Sequence, residues 1–383
     1  MRPEQYKDRE QTYVKHFVLN HYLQEVGFHI GFAQPEFVYV DCFSGPWRNS
    51  DTEGFEDTSI RIALDKLNYV AKGLQERGKR PRMRAVFVEE NPTAFGTLKK
   101  ALDRYGGNVE TLAFQGTFES NIPKILDAIG RSFGFFFIDP KGWTGFDMEV
   151  LRPVLNHQPG EVLINFMFDF VNRAVNWDNE SNEASFDRCF GMDDWRTVRV
   201  LQGQGREARC VDLYREQLRK AGPFKYTTST RILKPQQERA YFHLIYATRN
   251  IKGLIKFRDV EAKACKEQDR VRAAAQEQKR EERTGQPRLS FGDEDMFLSQ
   301  GLRADQASQR TRATRILYDL LEGGSQRYDD LLSSILEERH VTQRILNDLI
   351  LEGRKDRRLD VDFRPRQRVP KSGNTISLVG ARP

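Results

Sequence analysis

The sequence predicts an α/β protein: a doubly wound, mostly parallel seven-stranded sheet with a C-terminal winged helix-turn-helix domain. Three observations predict it. Short runs of Val, Ile and Phe alternate with helix-like segments over residues 37–168, as expected for strands covered on both faces by crossover helices. Two further runs lie too close together to hold such a helix, and residues 311–383 carry three short apolar-periodic segments followed by two strand-like ones.

The bulk numbers bound the classes. The chain has 383 residues, too many for one compact core and suited to two or three domains. Charged residues are 30% and hydrophobic ones 38%, ordinary for a globular protein. No run of about 18 apolar residues occurs, and the N-terminal MRPEQYKDREQ lacks the apolar core of a secretory signal, so a cytoplasmic location is expected. Cys42, Cys189, Cys210 and Cys265 show no C-x-x-C pairing, and His16 and His21 miss the i, i+4 spacing of a metal pair, so neither a disulfide framework nor a metal site is expected.

Along the chain, residues 5–27 form an amphipathic helix, with Val14, Val18, Tyr22 and Val26 at four-residue steps. The strands are FVYVDCF (37–43), AVFVEE (85–90), TLAFQ (111–115), GFFFID (134–139) and EVLINFMF (161–168), with helices at 59–73, 92–105, 120–129 and 148–155 between them. TTSTRIL (227–233) and AYFHLIYAT (240–248) are separated only by KPQQER, so they pair antiparallel. Five strands in βα alternation followed by an antiparallel hairpin is the arrangement of S-adenosylmethionine-dependent methyltransferases. Residues 1–256 are assigned to this domain, 257–290 to a charged, solvated helical linker, and 291–383 to the winged helix.

In a doubly wound sheet the ligand sits outside the carboxyl ends of the strands, which gives each strand tip a role. Asp41-Cys42-Phe43-Ser44-Gly45-Pro46 ends the first strand; Asp41 suits the cofactor's amino-acid portion, and Gly45 lets backbone approach closely. Cys42 reads as a small buried residue, not a nucleophile. Glu89 and Glu90 end the second strand on opposite faces, one of them set to grip a ribose. The separation from Asp41 makes 47–57 an inserted loop. Gly116-Thr117-Phe118 ends the third, at the adenine position, with Thr117 where a carboxylate is usual. Asp139-Pro140-Lys141-Gly142-Trp143 ends the fourth. Here Asp139 and Pro140 match the start of the Asp/Asn-Pro-Pro-aromatic tetrad of amino-group methyltransferases, with Lys141 replacing a proline and Trp143 offering a ring.

VDCFSGP, FVEENP, QGTFES and FIDPKGWTGF in this order, followed by a C-terminal helical domain, resemble the three-Cys-motif partner protein family (TcmP). The resemblance implies a class I methyltransferase fold, S-adenosylmethionine as cofactor, and a partner of radical-SAM type carrying three cysteines. Lys141 departs from the aromatic that this family usually carries after Asp-Pro. In the tail, residues 354–371 hold eight Arg or Lys against three Asp, a cluster suited to phosphate contact. It includes Arg357, Arg358, Arg364, Arg366, Arg368 and Lys371, while Gln343, Arg344 and Asn347 on the third helix are placed to reach bases. The expected function is methylation of nucleic acid, DNA or RNA. The alternative is a non-catalytic adaptor or regulator that brings the three-cysteine partner to nucleic acid.

Overall fold

The computed structural model describes residues 2–45, 57–140, 142, 147–285 and 299–380. The chain forms two compact units, Met1–Arg249 with Val271–Gly285, and Asn250–Arg270 with Gln286–Pro383.

In the first unit a short 3-10 helix (Pro3–Tyr6) precedes α1 (Glu10–Ala33). Then β1 (Glu36–Asp41), α2 (Ser59–Gln75), β2 (Arg82–Glu89), α3 (Pro92–Arg104), β3 (Val109–Gln115), α4 (Phe118–Ile129), β4 (Phe133–Ile138), α5 (Met148–Leu155) and β5 (Gly160–Phe166) alternate. Three helices that the strand-and-helix reading passed over, α6 (Phe168–Ala174), α7 (Glu180–Phe190) and α8 (Gly203–Ala221), come before the hairpin of β6 (Tyr226–Leu233) and β7 (Ala240–Thr248). The sheet order is β3-β2-β1-β4-β5-β7-β6. All pairs are parallel except that β7 runs antiparallel to both β5 and β6. This is the class I methyltransferase-like arrangement that the hairpin spacing implied.

The central strands bury both faces. Every residue of β4 and β5 is buried, and five of six in β1, which is why their sequences read as continuous apolar runs. Edge strand β3 is half-buried through most of its length. The helix starts are capped locally: the Asn91 side chain accepts the amides of Thr93 and Ala94 and Pro92 occupies the first helical position, satisfying donors that the helix itself leaves orphaned. Helix α1 is longer than its four-residue stripe suggested and starts later. Its Lys15, His16 and Tyr22 are buried along with its valines.

Helix α9 (Ile251–Thr284) follows β7. Its charged composition suggested a solvated helix; residues 273–284 are mostly exposed as expected, but the earlier part is not. Arg258 and Glu261 are both about 2% exposed. They pair at 2.5 Å, and the Arg258 guanidinium also donates to the carbonyls of Leu336 and Glu337. The charge is buried because it closes the carbonyls that the end of the next-but-one helix cannot satisfy.

The rest of the second unit comprises α10 (Gln300–Glu322), the two-residue strand β8 (Gln326–Arg327), α11 (Tyr328–Glu338), α12 (Gln343–Lys355), β9 (Leu359–Val361) and β10 (Thr375–Leu378). Strand β10 pairs antiparallel with β8 and β9. Leu331, Leu332, Ile335, Leu336, Leu346 and Ile350 form the apolar interior with Leu317 and Ile376. No helix among the described residues is long and apolar enough to cross a membrane.

Candidate functional site

The carboxyl ends of β1 and β2 meet through Ser44. Its amide donates to the Val88 carbonyl (2.7 Å), its hydroxyl to the Asp41 carbonyl (3.0 Å), and the Val88 amide returns a bond to the hydroxyl (3.1 Å). A small hydroxyl residue is what such a stitch requires. Gly45 follows. A Cβ there would lie 1.6 Å from Glu89 Oε2 and 2.7 Å from its Cδ, so the Glu89 carboxylate reaches into the space the glycine leaves. Oε1 of Glu89 accepts the Asn91 amide at 2.7 Å. Of the adjacent acids, Glu89 is buried and Glu90 exposed, the opposite-face outcome that period-two geometry dictates.

Asp41 is fully buried. It accepts the Ser59 hydroxyl at 2.7 Å, and the Phe43 amide and Tyr39 hydroxyl at 3.3 Å each. Burial pushes its carboxyl up to about 6; Ser59 and the Phe43 amide pull it down, and the nearby Asp139 pushes it up. Such a raised acid at a strand tip is the kind of perturbation that marks functional sites. Cys42 is packed in the core, its thiol driven well above the ordinary range by burial, and its amide donates to the Phe137 carbonyl. A nucleophilic role is closed to it.

At the third tip Gly116 has φ of +122°, a region that glycine alone enters freely. Thr117 caps α4, its hydroxyl accepting the Ser120 amide at 3.2 Å, and Asn121 donates to the carbonyls of Gln115 and Thr117. The threonine that stands where a carboxylate is usual is thereby a helix cap. Phe118 is buried against Phe43, ring centroids 5.4 Å apart, and its ring is part of the hydrophobic core. Thr117→Ala is expected to cost about 1 kcal/mol of stability, read as a fall of a few degrees in thermal midpoint. A thermal melt of both proteins checks it, and an unchanged midpoint would show that the cap contributes nothing to the fold.

Asp139 follows β4 and is held from two sides. Lys15 of α1 donates to Oδ2 at 2.5 Å, and the Asn165 amide, near the end of β5, donates to Oδ1 at 2.6 Å. Pro140 is buried beside it. Asn165 itself is 2% exposed, and its Oδ1 has no hydrogen-bond partner among the described residues. An unfilled buried acceptor costs stability unless a ligand donates to it. Lys15, Asn165 and Ser59 were not singled out from the sequence. Lys15 left one trace: a lysine between Val14 and His16, inside the apolar face of a helix. Pro46, Lys141 and Trp143, and the inserted stretch up to Glu56, lie outside the described residues. Asp57 pairs with Arg9 at 2.8 Å.

In the second unit, Tyr328 organises two of the residues placed to reach bases. Gln343 donates to the Tyr328 hydroxyl at 2.9 Å, which donates to Asn347 Oδ1 at 2.7 Å. These two are committed to packing α12 on α11. Arg344 is exposed, as are Arg357, Arg358, Arg364, Arg366, Arg368 and Lys371. Arg358 pairs with Asp356 at 2.7 Å.

No protein-family profile matches the chain, and no curated protein matches it. Solved structures similar to this chain include the following three. Protein LPL1258 from Legionella pneumophila strain Philadelphia 1 is 10% identical, with 61% of this chain and 85% of that one covered at a TM-score of 0.35. Cofactor-bound Rv0187 from MTB is 12% identical, covering 60% and 79% at 0.30. A loganic acid methyltransferase with SAH is 9% identical, covering 65% and 97% at 0.28.

Proposed function

We propose that this chain is an S-adenosylmethionine-dependent methyltransferase acting on nucleic acid, working with a three-cysteine protein of radical-SAM type. The observation that carries the cofactor reading is the cradle at Gly45. A buried carboxylate from the second strand tip occupies the room that only a glycine at the first strand tip leaves. That pairing suits a ribose, whose two hydroxyls donate to Glu89, with loop backbone lying against the sugar. Asp41 would hold the cofactor's ammonium group, and the chain at Gly116 would lie along the adenine. When bound, the cofactor supplies the methyl group.

On the substrate side, Asp139 and Asn165 present acceptors to a target amine. Each oxygen of Asp139 keeps a second lone pair beyond those used by Lys15 and Asn165, and the Asn165 Oδ1 is unfilled among the described residues. Two acceptors fixed by an ion pair aim the nitrogen lone pair, so the rate gain comes from alignment. The exposed arginines of the C-terminal unit, proposed here to be a winged helix, supply sequence-independent phosphate contact.

A second reading, a non-catalytic adaptor for the three-cysteine partner, draws on the Lys15–Asp139 ion pair, which by itself is a stable end state needing no substrate. Titration calorimetry separates the two. The wild type is expected to bind S-adenosylmethionine, and Glu89→Gln to bind it about tenfold more weakly, since one of two hydrogen bonds to a charged acceptor weakens by ~1.4 kcal/mol. A wild type that shows no heat of binding removes the enzyme and leaves the adaptor.

A further inference from the structure

The β6–β7 turn lies on the same sheet edge as Asp41, Glu89 and Asp139, because β6 runs parallel to β5 and β7 antiparallel to both. Several charges gather there around one acid. Asp169, on α6 just after β5, has a side chain only 4% exposed, yet Lys234 Nζ (2.9 Å) and Arg239 Nη2 (2.5 Å) both bind its Oδ1, and Arg173 lies 3.6 Å from its Oδ2. Burial pushes this carboxyl up, but Lys234 and Arg239 outweigh it and hold the group below the usual range. One buried carboxylate needs one counter-charge, and here three cations converge on it. Two are about half exposed, Arg239 at 48% and Arg173 at 55%. Arg173 also donates through Nε to the Asp169 carbonyl at 3.2 Å.

The neighbourhood repeats the pattern. Arg231 binds Glu207 through two nitrogens, at 2.5 and 3.1 Å, and His243 meets the same acid at 3.0 Å. Half-buried aromatic rings lie beside two of the cations: Lys234 sits 5.6 Å from the Tyr241 ring centre and Arg173 4.6 Å from that of Phe170. The strands that carry the cluster also lead to the proposed methyl-acceptor site. His243 pairs with Phe166, the residue after Asn165, and Lys15 lies 5.8 Å from the Phe242 ring.

We propose that Lys234, Arg239 and Arg173, anchored on buried Asp169, form a phosphate clamp that grips the backbone of single-stranded nucleic acid beside the nucleotide presented to Asp139 and Asn165. The proposal rests on the nucleic-acid reading of the site and adds a contact independent of the C-terminal arginines. Asp169 serves as the pin: it holds two cations against a single oxygen, so the entropy of ordering two long side chains is already lost before ligand arrives. Planar guanidinium donors suit phosphodiester oxygens, and the neighbouring rings offer bases a stacking surface.

The test uses the full-length chain and a short fluorescein-labelled single strand of mixed sequence. Its affinity is measured by anisotropy across a salt series, with S-adenosylmethionine calorimetry on the same samples. The variant Asp169→Asn/Lys234→Gln/Arg239→Gln removes the buried acid together with the two cations on its Oδ1, and the one cation left without its acid, Arg173, is about half exposed. Its slope of log K against log salt is expected to fall in magnitude by roughly 1 to 1.5, about 0.7 per lost phosphate contact on a single strand. The same fall is expected when Arg364, Arg366 and Arg368 are already glutamine. Cofactor affinity should not change. A slope equal to wild type, or a wild-type chain that does not bind the strand, overturns the clamp. Should the triple variant fail to fold by circular dichroism, Arg173→Gln decides, with an expected fall of about 0.7 and no change counting against the clamp. Strand binding without cofactor binding sinks the methyltransferase reading alone; cofactor binding without strand binding sinks the clamp alone.

Discussion

Gly45→Val is expected to weaken S-adenosylmethionine binding at least a hundredfold while moving the thermal midpoint by no more than a few degrees. The first added carbon falls 1.6 Å from Glu89 Oε2 and 2.7 Å from Cδ, far inside van der Waals contact. The backbone at Gly45 is outside the left-handed region, and the residue is exposed, so the chain tolerates a side chain there. Relief comes from the far end of a flexible glutamate, which turns away from the loop and gives up the Asn91 amide. That loss is worth about 1 kcal/mol or somewhat more to the fold. The consequence for a ligand is larger, because the displaced carboxylate and the new methyl groups both fall where the ribose would lie. A hundredfold corresponds to ~2.7 kcal/mol. Calorimetry and a thermal melt on the same preparation check both halves, and unchanged affinity in the valine variant would show that no sugar sits against this loop.

The strand tips were readable from the chain because their signals are local. A run such as FGFFFI announces a strand buried on both faces, and the acid that follows it must then stand at the sheet's edge. Period-two alternation likewise puts Glu89 and Glu90 on opposite faces. The helices α7 and α8 were missed although α8 carries a readable stripe: Cys210, Leu213, Tyr214 and Leu218 fall on one face and are buried. What no local pattern carries is partnership at long range. Lys15 meets Asp139 across 124 positions, and Arg258 meets the Leu336 carbonyl across 78. Composition alone places such residues in water. Thr117 illustrates the intermediate case, since one residue type serves a ligand contact and a helix cap equally well, and only the geometry of α4 decides.

The second large effect concerns Asp41, where stability and cofactor affinity should respond to pH in opposite directions. An acid whose carboxyl rises from 3.8 in the unfolded chain to about 6 in the fold stays protonated in the native state while the unfolded state has already ionised. Stability from this group is therefore complete below about 4 and declines as pH climbs to about 6, by roughly 3 kcal/mol at ~1.4 kcal/mol per unit. A cationic ammonium beside Asp41 favours the ionised form, so the affinity for S-adenosylmethionine should instead rise over the same interval, about tenfold per unit, and level off above 6. Buried Glu161 is also raised by burial and tilts the wild-type curve the same way, which makes the difference between wild type and Asp41→Asn the informative quantity. The amide variant should be the more stable protein at pH 7 without ligand, by up to about 3 kcal/mol, and should bind cofactor weakly with no inflection near 6. That combination identifies a carboxylate kept at the cost of stability because a ligand needs its charge. Urea unfolding at pH 4.5 and 7 with paired calorimetry measures it, and an asparagine variant that binds as tightly as wild type would return Asp41 to a structural role held by Ser59 and Tyr39.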